Sequence, residues 1–271
     1  MGILNVTSDS FSDGGKWLDP DEAVGHGLVM AAQGADVIDV GGESTRPGAQ
    51  RVPAAGQRRR VVAVIDRLRR QLDQHQPNVA IRVDTTLPDV ATAALDAGAA
   101  IINDVSAGRE DSRMLHVAAE RNAPIVLMHM RGTPETMQQD PQYDDVVSEV
   151  EAFLVQRAQA AMDAGVRRGQ IVIDPGIGFG KTKEHNLALL AHLERFVATG
   201  FAVLLGSSRK RFMGSICREA DGSPPPPSSL VGATCATTGL GAAAGVAMFR
   251  VHDVAANRQA ADVAWSIGQH R

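Results

Sequence analysis

Short apolar runs rich in valine and isoleucine recur along the chain, and each is followed by a longer stretch that mixes apolar and polar residues. Such short runs between turn-forming residues are typical of buried β-strands. The pattern predicts eight strands, at residues 2–6, 36–40, 80–84, 100–104, 124–129, 171–175, 202–206 and 246–252. Because the runs are almost continuously apolar, we expect parallel strands that are covered on both faces.

Helical periodicity fills the segments between these strands. Residues 19–34 carry Asp21 and Glu22 in the first turn, where the helix dipole favours acidic side chains. Residues 58–72 repeat apolar residues at helical spacing with arginines on the other face, and residues 144–165 end in glycine, as helices often do. The alternation of strands and helices predicts an α/β protein.

Eight strand–helix units predict a single (β/α)8 TIM barrel over residues 1–271, with its active site at the carboxyl ends of the strands. An open doubly wound sheet is the alternative. Eight is the number of strands that closes a barrel, which favours closure. The proline-rich segment 221–229 interrupts the pattern, and we interpret it as a surface loop with polyproline II character. No segment has the composition of a linker between domains.

Composition and charge narrow the possible functions. The chain is 44% hydrophobic with a formal net charge of −4, which supports a sizeable core and argues against general nucleic-acid binding. Cys217 and Cys235 are too few for a disulfide framework, so we expect a reducing, cytoplasmic setting. The first residues lack the pattern of a signal peptide, and no run of 18 or more strongly apolar residues predicts a membrane span.

Residues 173–182, IDPGIGFGKT, end like a nucleotide-binding P-loop. That motif needs a glycine five positions before its second glycine. Here the position is Pro175, which has no N–H group and a fixed φ angle. The P-loop interpretation is therefore a minor alternative.

Polar side chains stand at the carboxyl end of every predicted strand. Any one of them is as easily a helix cap or a turn residue. Because the carboxyl ends of barrel strands share one mouth, the whole set predicts a polar ligand site there. The set comprises Asn5, Asp39, Asp84, Asn103, His129, Asp174, the run Ser207 to Lys210, Arg250 and His252.

The residue types divide this mouth into two halves. Asp84, Asn103 and Asp174 offer carboxylates and an amide, which suit a flat heterocycle with adjacent N–H donors and a carbonyl, and Lys210 adds a cationic donor. Lys181 then lies behind a heterocycle pocket whose floor is Asp174.

The other half of the mouth suits an anion. Asn5, Arg250 and His252 are residue types that hold phosphate or pyrophosphate together with a metal ion, and Arg46 is a further cation nearby. No serine or cysteine stands in the context of an activated nucleophile, and we interpret His129 as structural.

Eight segments together resemble the dihydropteroate synthase family. They occur in the family's order from residue 2 to about residue 254, which makes the resemblance specific. The segments read GILNVTSDSFSDGG, IDVGGESTRPGA, RVDT, INDV, LMHMRGTP, IDPGIGFGKT, SSRKRFMG and FRVHDV. The resemblance implies a TIM barrel that joins 6-hydroxymethyl-7,8-dihydropterin pyrophosphate to p-aminobenzoate with release of pyrophosphate. It also implies Mg²⁺ as cofactor and a mechanism in which pyrophosphate leaves first.

The resemblance assigns a role to each residue that matches a family motif. Asp39, Arg46 and Lys210 are expected to be catalytic, Asp39 by stabilising positive charge on the pterin. The pterin is expected to contact Asp84, Asn103, Asp174 and Lys210. The pyrophosphate is expected to contact Asn5, Arg250 and His252, and Mg²⁺ to contact Asn5 and Asp13. The p-aminobenzoate is expected to contact Phe11, Thr45, Arg46, Pro47, Phe179 and Ser208, with the start of the helix near Arg209 facing its carboxylate.

Two departures from the family pattern bear on these expectations. Ser8 stands where the family usually has proline, which frees the backbone of the first loop, yet STRPGA and GFGK are intact, so we expect sensitivity to sulfonamides. Family members commonly have a short β-hairpin before the first strand, whereas this sequence begins almost on the strand, so we expect lower stability than a longer form would have.

Other functions and the assembly stay open at this point. A methyltetrahydrofolate methyltransferase shares pterin recognition but has no need of a pyrophosphate clamp at Arg250 and His252. A non-catalytic relative usually loses the residues that bind phosphate or form the active-site loops, whereas those residues are present here.

Family members are often dimers, and the Ala/Gly-rich segment 228–245 is our candidate homodimer interface, although packing between neighbouring barrel helices explains its composition equally well.

Overall fold

Eight parallel strands form one sheet in the order of the sequence. The computed structural model describes residues 1–6, 19–44 and 51–270. The strands are β1 (Gly2–Asn5), β2 (Val37–Gly41), β3 (Ala80–Asp84), β4 (Ile101–Asp104), β5 (Ile125–Met128), β6 (Ile171–Asp174), β7 (Ala202–Leu205) and β8 (Met248–Phe249). All eight predicted strands are confirmed.

The last strand returns to the first, which closes the barrel. A parallel bridge joins Gly2 and Val251, with hydrogen bonds from Ile3 N to Val251 O (3.1 Å) and from Val251 N to Met1 O (3.0 Å). The open-sheet alternative is therefore wrong. The strand predicted at 246–252 is shorter than expected, and beyond Phe249 the Arg250 N–H still donates to Leu205 O of β7 while Val251 bonds to Met1 and Ile3.

Helices follow the strands and cover the outside of the barrel. They are α1 (Pro20–Ala32), α2 (Ala54–His75), α3 (Pro88–Asp96), α4 (Arg113–Glu120), α5 (Val146–Asp163), α6 (Lys183–Ala191), α7 (Leu193–Ala198), α8 (Arg211–Ile216), α9 (Val231–Ala243) and α10 (Val254–Gly268). None of the helices in the described ranges is long and apolar enough to cross a membrane.

Helix α2 shows how the sequence pattern fixes the outer layer. Val61, Val64, Ile65, Leu68 and Leu72 recur at helical spacing and are all buried against the barrel. Burying each of these side chains contributes about 1.5–3 kcal/mol. The helix begins earlier than predicted, directly after Pro53, because its first turn carries no apolar periodicity that the sequence pattern could reveal.

Alternation along the strands decides which residues enter the barrel. Near the amino ends, Val37, Ile101, Val126, Val172 and Leu204 pack together in the interior. On three of these strands, the residue two positions further along, which points in the same inward direction, is polar. The polar set at the mouth comprises Asp39, Asn103 and Asp174, two residues after Val37, Ile101 and Val172 respectively.

The proline-rich segment is an exposed connection between α8 and α9. Pro224 and Pro225 lie over Gly214 of α8, and Pro227–Ser229 form a single 3-10 turn. The surface-loop interpretation is therefore confirmed.

Candidate active site

A cup of acidic and amide groups lies inside the carboxyl end of the barrel. Asp84 and Asn103 are register partners on β3 and β4, and the Asn103 Nδ2 donates to Asp84 Oδ1 at 2.7 Å. Both residues and Asp174 are at least nine-tenths buried. Burial raises the pKa of Asp84 and of Asp174. A ligand that brings N–H donors to these carboxylates would restore their charged forms.

Two glycines keep the cup open. A Cβ at Gly41 would lie 3.4 Å from the Asn5 Oδ1 and 3.6 Å from the Asp84 Cβ. A Cβ at Gly206 would lie 3.8 Å from the Asp174 Oδ2. Because both positions lack a side chain, the space between the polar groups is available to a ligand.

The loop after β6 holds Asp174 in place. The Gly176 N–H donates to Asp174 Oδ1 at 2.7 Å. Gly176 has a φ of +67°, and a Cβ there would collide with the His129 carbonyl oxygen. Only glycine therefore allows the loop to pass so close to the end of β5.

Lys181 does not act as the lysine of a P-loop. Its ammonium group is buried and donates to the Phe179 carbonyl oxygen (3.0 Å), and it lies 2.9 Å from the His129 Nδ1. Thr182 caps α6 through the His185 N–H instead of facing a phosphate. Burial is the main cause that lowers the pKa of Lys181 to about 7, and burial followed by the Lys181 charge lowers that of His129 to about 2. The P-loop alternative is therefore wrong, and His129 has the structural contacts that we expected.

Lys210 and Phe179 form one wall of the mouth. The Lys210 Nζ lies 4.1 Å from the centre of the Phe179 ring, a distance at which cation and ring attract. The Lys210 stem passes Gly178, where a Cβ would lie only 3.1 Å from the Lys210 Cδ. Phe179 itself packs on an apolar cluster made of Val105, Met128, Met130 and Met137.

A cavity of about 450 Å³ opens on the other side of the mouth. Its lining includes Thr85, Val105, Arg109 and Met130, and of the predicted pterin residues it reaches only Asp84. The cup described above is therefore assigned from its polar groups and not from the size of this cavity.

Three charged side chains form a chain of ion pairs at the bottom of the mouth. Asp39 is fully buried, and its two oxygens accept from the Arg82 Nε and from the Arg250 Nε, each at 2.6 Å. The Arg250 Nη2 also lies 3.7 Å from the Asp84 Oδ2. Both oxygens of Asp39 thus bind arginine, and a contact between Asp39 and a pterin stays a prediction.

His252 and Ser208 meet where the loop after β7 passes the loop after β8. The Ser208 Oγ lies 3.0 Å from the His252 Nδ1 and accepts from the His252 backbone N–H at 3.2 Å. Burial, then Arg250, lowers the pKa of His252 to about 4. The imidazole is therefore neutral at neutral pH, and any contact it makes with an anion would be a neutral hydrogen bond. Arg209, next to Ser208, pairs with Asp253 through two hydrogen bonds.

The mouth offers few protein oxygens that could bind Mg²⁺. Across the described ranges, no three His, Cys, Asp or Glu side chains gather in an arrangement that could hold a metal ion. Asn5 contributes one half-buried amide oxygen beside Gly41. Mg²⁺ commonly takes one or two protein oxygens and completes its shell with water and substrate phosphates, so the residues present fit such an ion.

Five predicted site residues lie outside the described residues. They are Phe11, Asp13, Thr45, Arg46 and Pro47, and Ser8 lies outside as well. Their predicted roles stay predictions. The structure brings the other predicted residues to one mouth: Asn5, Asp39, Asp84, Asn103, Asp174, Phe179, Ser208, Lys210, Arg250 and His252.

Arg82, directly below this mouth, is a charged residue that the sequence analysis missed. It stands inside an otherwise apolar strand, AIRVD, two positions before Asp84. Because side chains alternate along a strand, that spacing directs both residues into the barrel. An arginine at an inward position of a buried strand is the signal that identifies it.

The chain matches the family model described as pterin binding enzyme over residues 1–252. It is 49% identical to the dihydropteroate synthase of Mycobacterium leprae over 98% of this chain and 92% of the relative. It superposes on a Xanthomonas albilineans dihydropteroate synthase with 4-aminobenzoic acid at a TM-score of 0.88 and 46% identity, covering 100% of this chain and 92% of that one. A Yersinia pestis dihydropteroate synthase with a sulfonamide drug complex gives a TM-score of 0.90 at 37% identity, covering 99% and 93%.

These matches agree with the barrel fold described above. The chain is a TIM-barrel protein that belongs to the pterin-binding enzyme family, and within that family it belongs to the dihydropteroate synthases.

Proposed function

We propose that the protein condenses 6-hydroxymethyl-7,8-dihydropterin pyrophosphate with p-aminobenzoate to give 7,8-dihydropteroate and pyrophosphate. The observation that carries this proposal is the division of one mouth into an acidic half and a cationic half. Asp84, Asn103 and Asp174 offer acceptors to a heterocycle, while Arg250 and His252 lie beside them at the same end of the barrel. A substrate with a pterin at one end and a pyrophosphate at the other matches this arrangement.

The pterin binds in the acidic half in this proposal. The two carboxylates accept from the N–H donors along the edge of the ring, and Asn103 supplies both a donor and an acceptor. Lys210 approaches from the opposite wall and donates to the ring while its Nζ stays over Phe179. Charge-assisted hydrogen bonds of this kind are the stronger ones in proteins, so they fix the orientation of the ring.

The pyrophosphate binds in the cationic half. Arg250 offers guanidinium N–H groups, neutral His252 offers a ring N–H, and Asn5 faces the same space across Gly41. Mg²⁺, held by Asn5 together with Asp13, would neutralise charge on the leaving pyrophosphate. The protein cations act at the same oxygens, so they stabilise the charge that develops as the C–O bond breaks.

The p-aminobenzoate binds between Phe179 and the start of α8 in this proposal. Ser208 and Lys210 precede that helix, which begins at Arg211. The residues Phe11, Thr45, Arg46 and Pro47 are expected to complete the pocket. A relative of known structure carries a sulfonamide drug complex, and we expect sulfonamides to compete with p-aminobenzoate here as well.

The order of bond changes follows from the groups available. The C–O bond to pyrophosphate breaks first, which leaves a cationic pterin methylene among carboxylates. The amine of p-aminobenzoate then forms the C–N bond and loses one proton. This order needs no activated protein nucleophile, and none of the described side chains at the mouth is arranged as one. Asp39, ionised between two arginines, holds Arg250 beneath the site.

The test is to measure the formation of dihydropteroate and pyrophosphate from the two substrates with Mg²⁺. Pyrophosphate release that depends on p-aminobenzoate, with dihydropteroate as product, supports the proposal. Pterin binding without turnover would contradict it and would favour a non-catalytic relative. Methyl transfer from methyltetrahydrofolate without dihydropteroate formation would favour the methyltransferase alternative.

We further propose that the protein is a cytoplasmic homodimer. Cys217 and Cys235 are both free thiols, which suits a reducing compartment. Helices α9 and α10 carry Leu240, Val263, Trp265 and Ile267, each more than half exposed. An apolar surface of this kind is typical of an interface between copies.

A further inference from the structure

Arg82 lies at the centre of the barrel, directly below the mouth. It is the largest fully buried side chain in the described part of the chain, with 1% exposure. Its Cα is the register partner of Asp39 on the neighbouring strand, and its Nε donates to the Asp39 Oδ1 at 2.6 Å. The other oxygen of Asp39 accepts from Arg250, which reaches the mouth with 23% of its side chain exposed. One carboxylate is thus held between a hidden guanidinium and an accessible one.

The charge count of this triad explains why two arginines are needed. Asp39 and Arg250 alone would neutralise each other, and an anion at the mouth would meet a pair without net charge. Arg82 supplies a second positive charge, which gives the triad a net charge of about +1 and offsets the neighbouring carboxyl groups of Asp84 and Asp174. Because Asp39 is fully buried, water screens these interactions little.

We propose that Arg82 is a positioning residue for the pyrophosphate clamp: it fixes Asp39, through Asp39 it orients Arg250, and it leaves Arg250 with positive charge for the anion. The inference rests on the proposed function, because it assigns the anion at Arg250 as pyrophosphate. Arg82 itself is too deeply buried to touch the substrate, so it acts through Asp39.

The protonation of Asp39 supports this role. Burial acts to raise the pKa of Asp39, but the guanidinium groups of Arg82 and then Arg250 outweigh it and lower that pKa to about 2. The other charged groups around the triad are the Asp84 and Asp174 carboxyl groups and the α-amino group of Met1. Without Arg82, burial and Asp84 would raise the pKa of Asp39, and protonation would release Arg250 as the pH falls.

The test compares Arg82→Met, Arg82→Lys and the unchanged protein. Methionine fills similar space without charge, and lysine keeps the charge. The first measurement is the dissociation constant of inorganic pyrophosphate by calorimetry, which needs no turnover. We expect Arg82→Met to weaken binding about tenfold or more, and Arg82→Lys to recover part of that loss.

The second measurement is steady-state kinetics as a function of pH. Arg82→Met should raise the KM for the pterin pyrophosphate and leave the KM for p-aminobenzoate nearly unchanged. It should also move the acid limb of kcat/KM for the pterin pyrophosphate to higher pH. The control is Leu154→Ala, a fully buried leucine on α5, which should lose stability but keep the pyrophosphate affinity and the acid limb.

Two results would overturn the inference. One is a folded Arg82→Met protein with unchanged pyrophosphate affinity and an unchanged acid limb. If Arg82→Met does not fold, the inference is tested on the unchanged protein by nuclear magnetic resonance of its arginine Nε–H groups. Added pyrophosphate should then shift the signals of Arg82 and Arg250 together but not that of Arg167, whose Nε donates to the Gln170 side chain just before β6, at the amino end of the strands. A shift at Arg250 alone would contradict the coupling.

The two proposals fail in different ways. An unchanged protein that binds pyrophosphate but forms no dihydropteroate contradicts the proposed function alone, and the binding measurements still decide the role of Arg82. An unchanged protein that binds no pyrophosphate contradicts the clamp and the role of Arg82 with it.

Discussion

At the scale of single residues, the same amino acid has different tasks on the two faces of a strand. Asp104 and Asp174 both end a strand, both are buried, and both accept backbone N–H groups from the following loop. Asp174 faces the barrel interior, two residues after inward Val172, whereas Asp104 follows inward Asn103 and faces outward. Strand alternation thus separates a binding carboxylate from one that stabilises a loop.

This difference predicts the effect of replacing each carboxylate by an amide. Asp174→Asn keeps an acceptor for the Gly176 N–H but removes the charge from the cup. We expect it to weaken pterin binding by about 2 kcal/mol, since hydrogen bonds to charged groups contribute on that order. Asp104→Asn is the matched control and should affect the free energy of unfolding more than pterin binding. Calorimetric titration with the pterin substrate and urea unfolding separate the two, and equal losses of binding would contradict the assignment.

Lys181 predicts a stability that depends on pH. Its pKa in the folded protein is about 7, below its ordinary value of 10.5. The unfolded chain therefore binds more protons than the folded one between these values, so the free energy of unfolding rises with pH in that window. The slope is at most about 1.4 kcal/mol per pH unit. Lys181→Met should abolish this contribution, as measured by urea unfolding from about pH 7 to about pH 9.

The neighbouring lysine provides the control for that measurement. Lys183 lies two positions further along the chain, and its side chain is 44% exposed. Lys183→Met should leave the pH dependence of unfolding as it is in the unchanged protein. A Lys181→Met protein that keeps the full slope would assign the pH dependence to other groups.

At the scale of elements, the loop between β6 and α6 joins the cup to the end of β5. It orients Asp174 through the Gly176 N–H, places Phe179 at the mouth and anchors itself through Lys181. Its sequence resembled a P-loop because a backbone that passes close to other backbone needs glycines in either case. The partner that Gly176 approaches is the His129 carbonyl oxygen, and no phosphate is needed to explain the glycine.

This close approach predicts a large effect of one methyl group. Gly176→Ala combines a positive φ with a collision at the His129 carbonyl oxygen, so we expect a loss of about 2–4 kcal/mol in the free energy of unfolding. Gly25→Ala in α1 is the control, because no atom lies within 4 Å of the added Cβ. It should gain about 0.5–1 kcal/mol. Thermal unfolding of both proteins checks the pair, and a stable Gly176→Ala protein would show that the loop can move away from β5.

The elements also show which structural features the sequence predicts and which it does not. The number of strands and most of their ends follow from the apolar runs, and the set Asp84, Asn103 and Asp174 follows from the polar residues at those ends. The partners of Asp39 do not, because they depend on the register between strands that are far apart in sequence. Arg82 could be found only by asking which way each residue of β3 points. The contacts of Lys181 with His129 and Phe179 depend on how the loop after β6 lies against the end of β5.

At the scale of the whole molecule, the Ala/Gly-rich helix α9 raises the question of assembly. Some of its small residues are used within the molecule. A Cβ at Gly241 would collide with the Phe249 ring, and a Cβ at Gly239 would touch Ala264 of α10. The packing between barrel helices therefore explains part of the composition. It does not explain Leu240, whose side chain is 66% exposed.

Leu240 and Trp265 therefore predict where two copies meet. Both are large, apolar and at least 60% exposed, on helices α9 and α10 that pack against each other. A stable dimer buries roughly 800 Å² on each partner, and two carboxylates in that area would be costly to desolvate. We expect the unchanged protein to sediment as a dimer and the double variant Leu240→Glu, Trp265→Glu to sediment as a folded monomer. Val155→Glu, at a 42% exposed valine on α5, should leave the dimer intact. A double variant that stays dimeric would place the interface elsewhere, and a monomeric unchanged protein would contradict the homodimer itself.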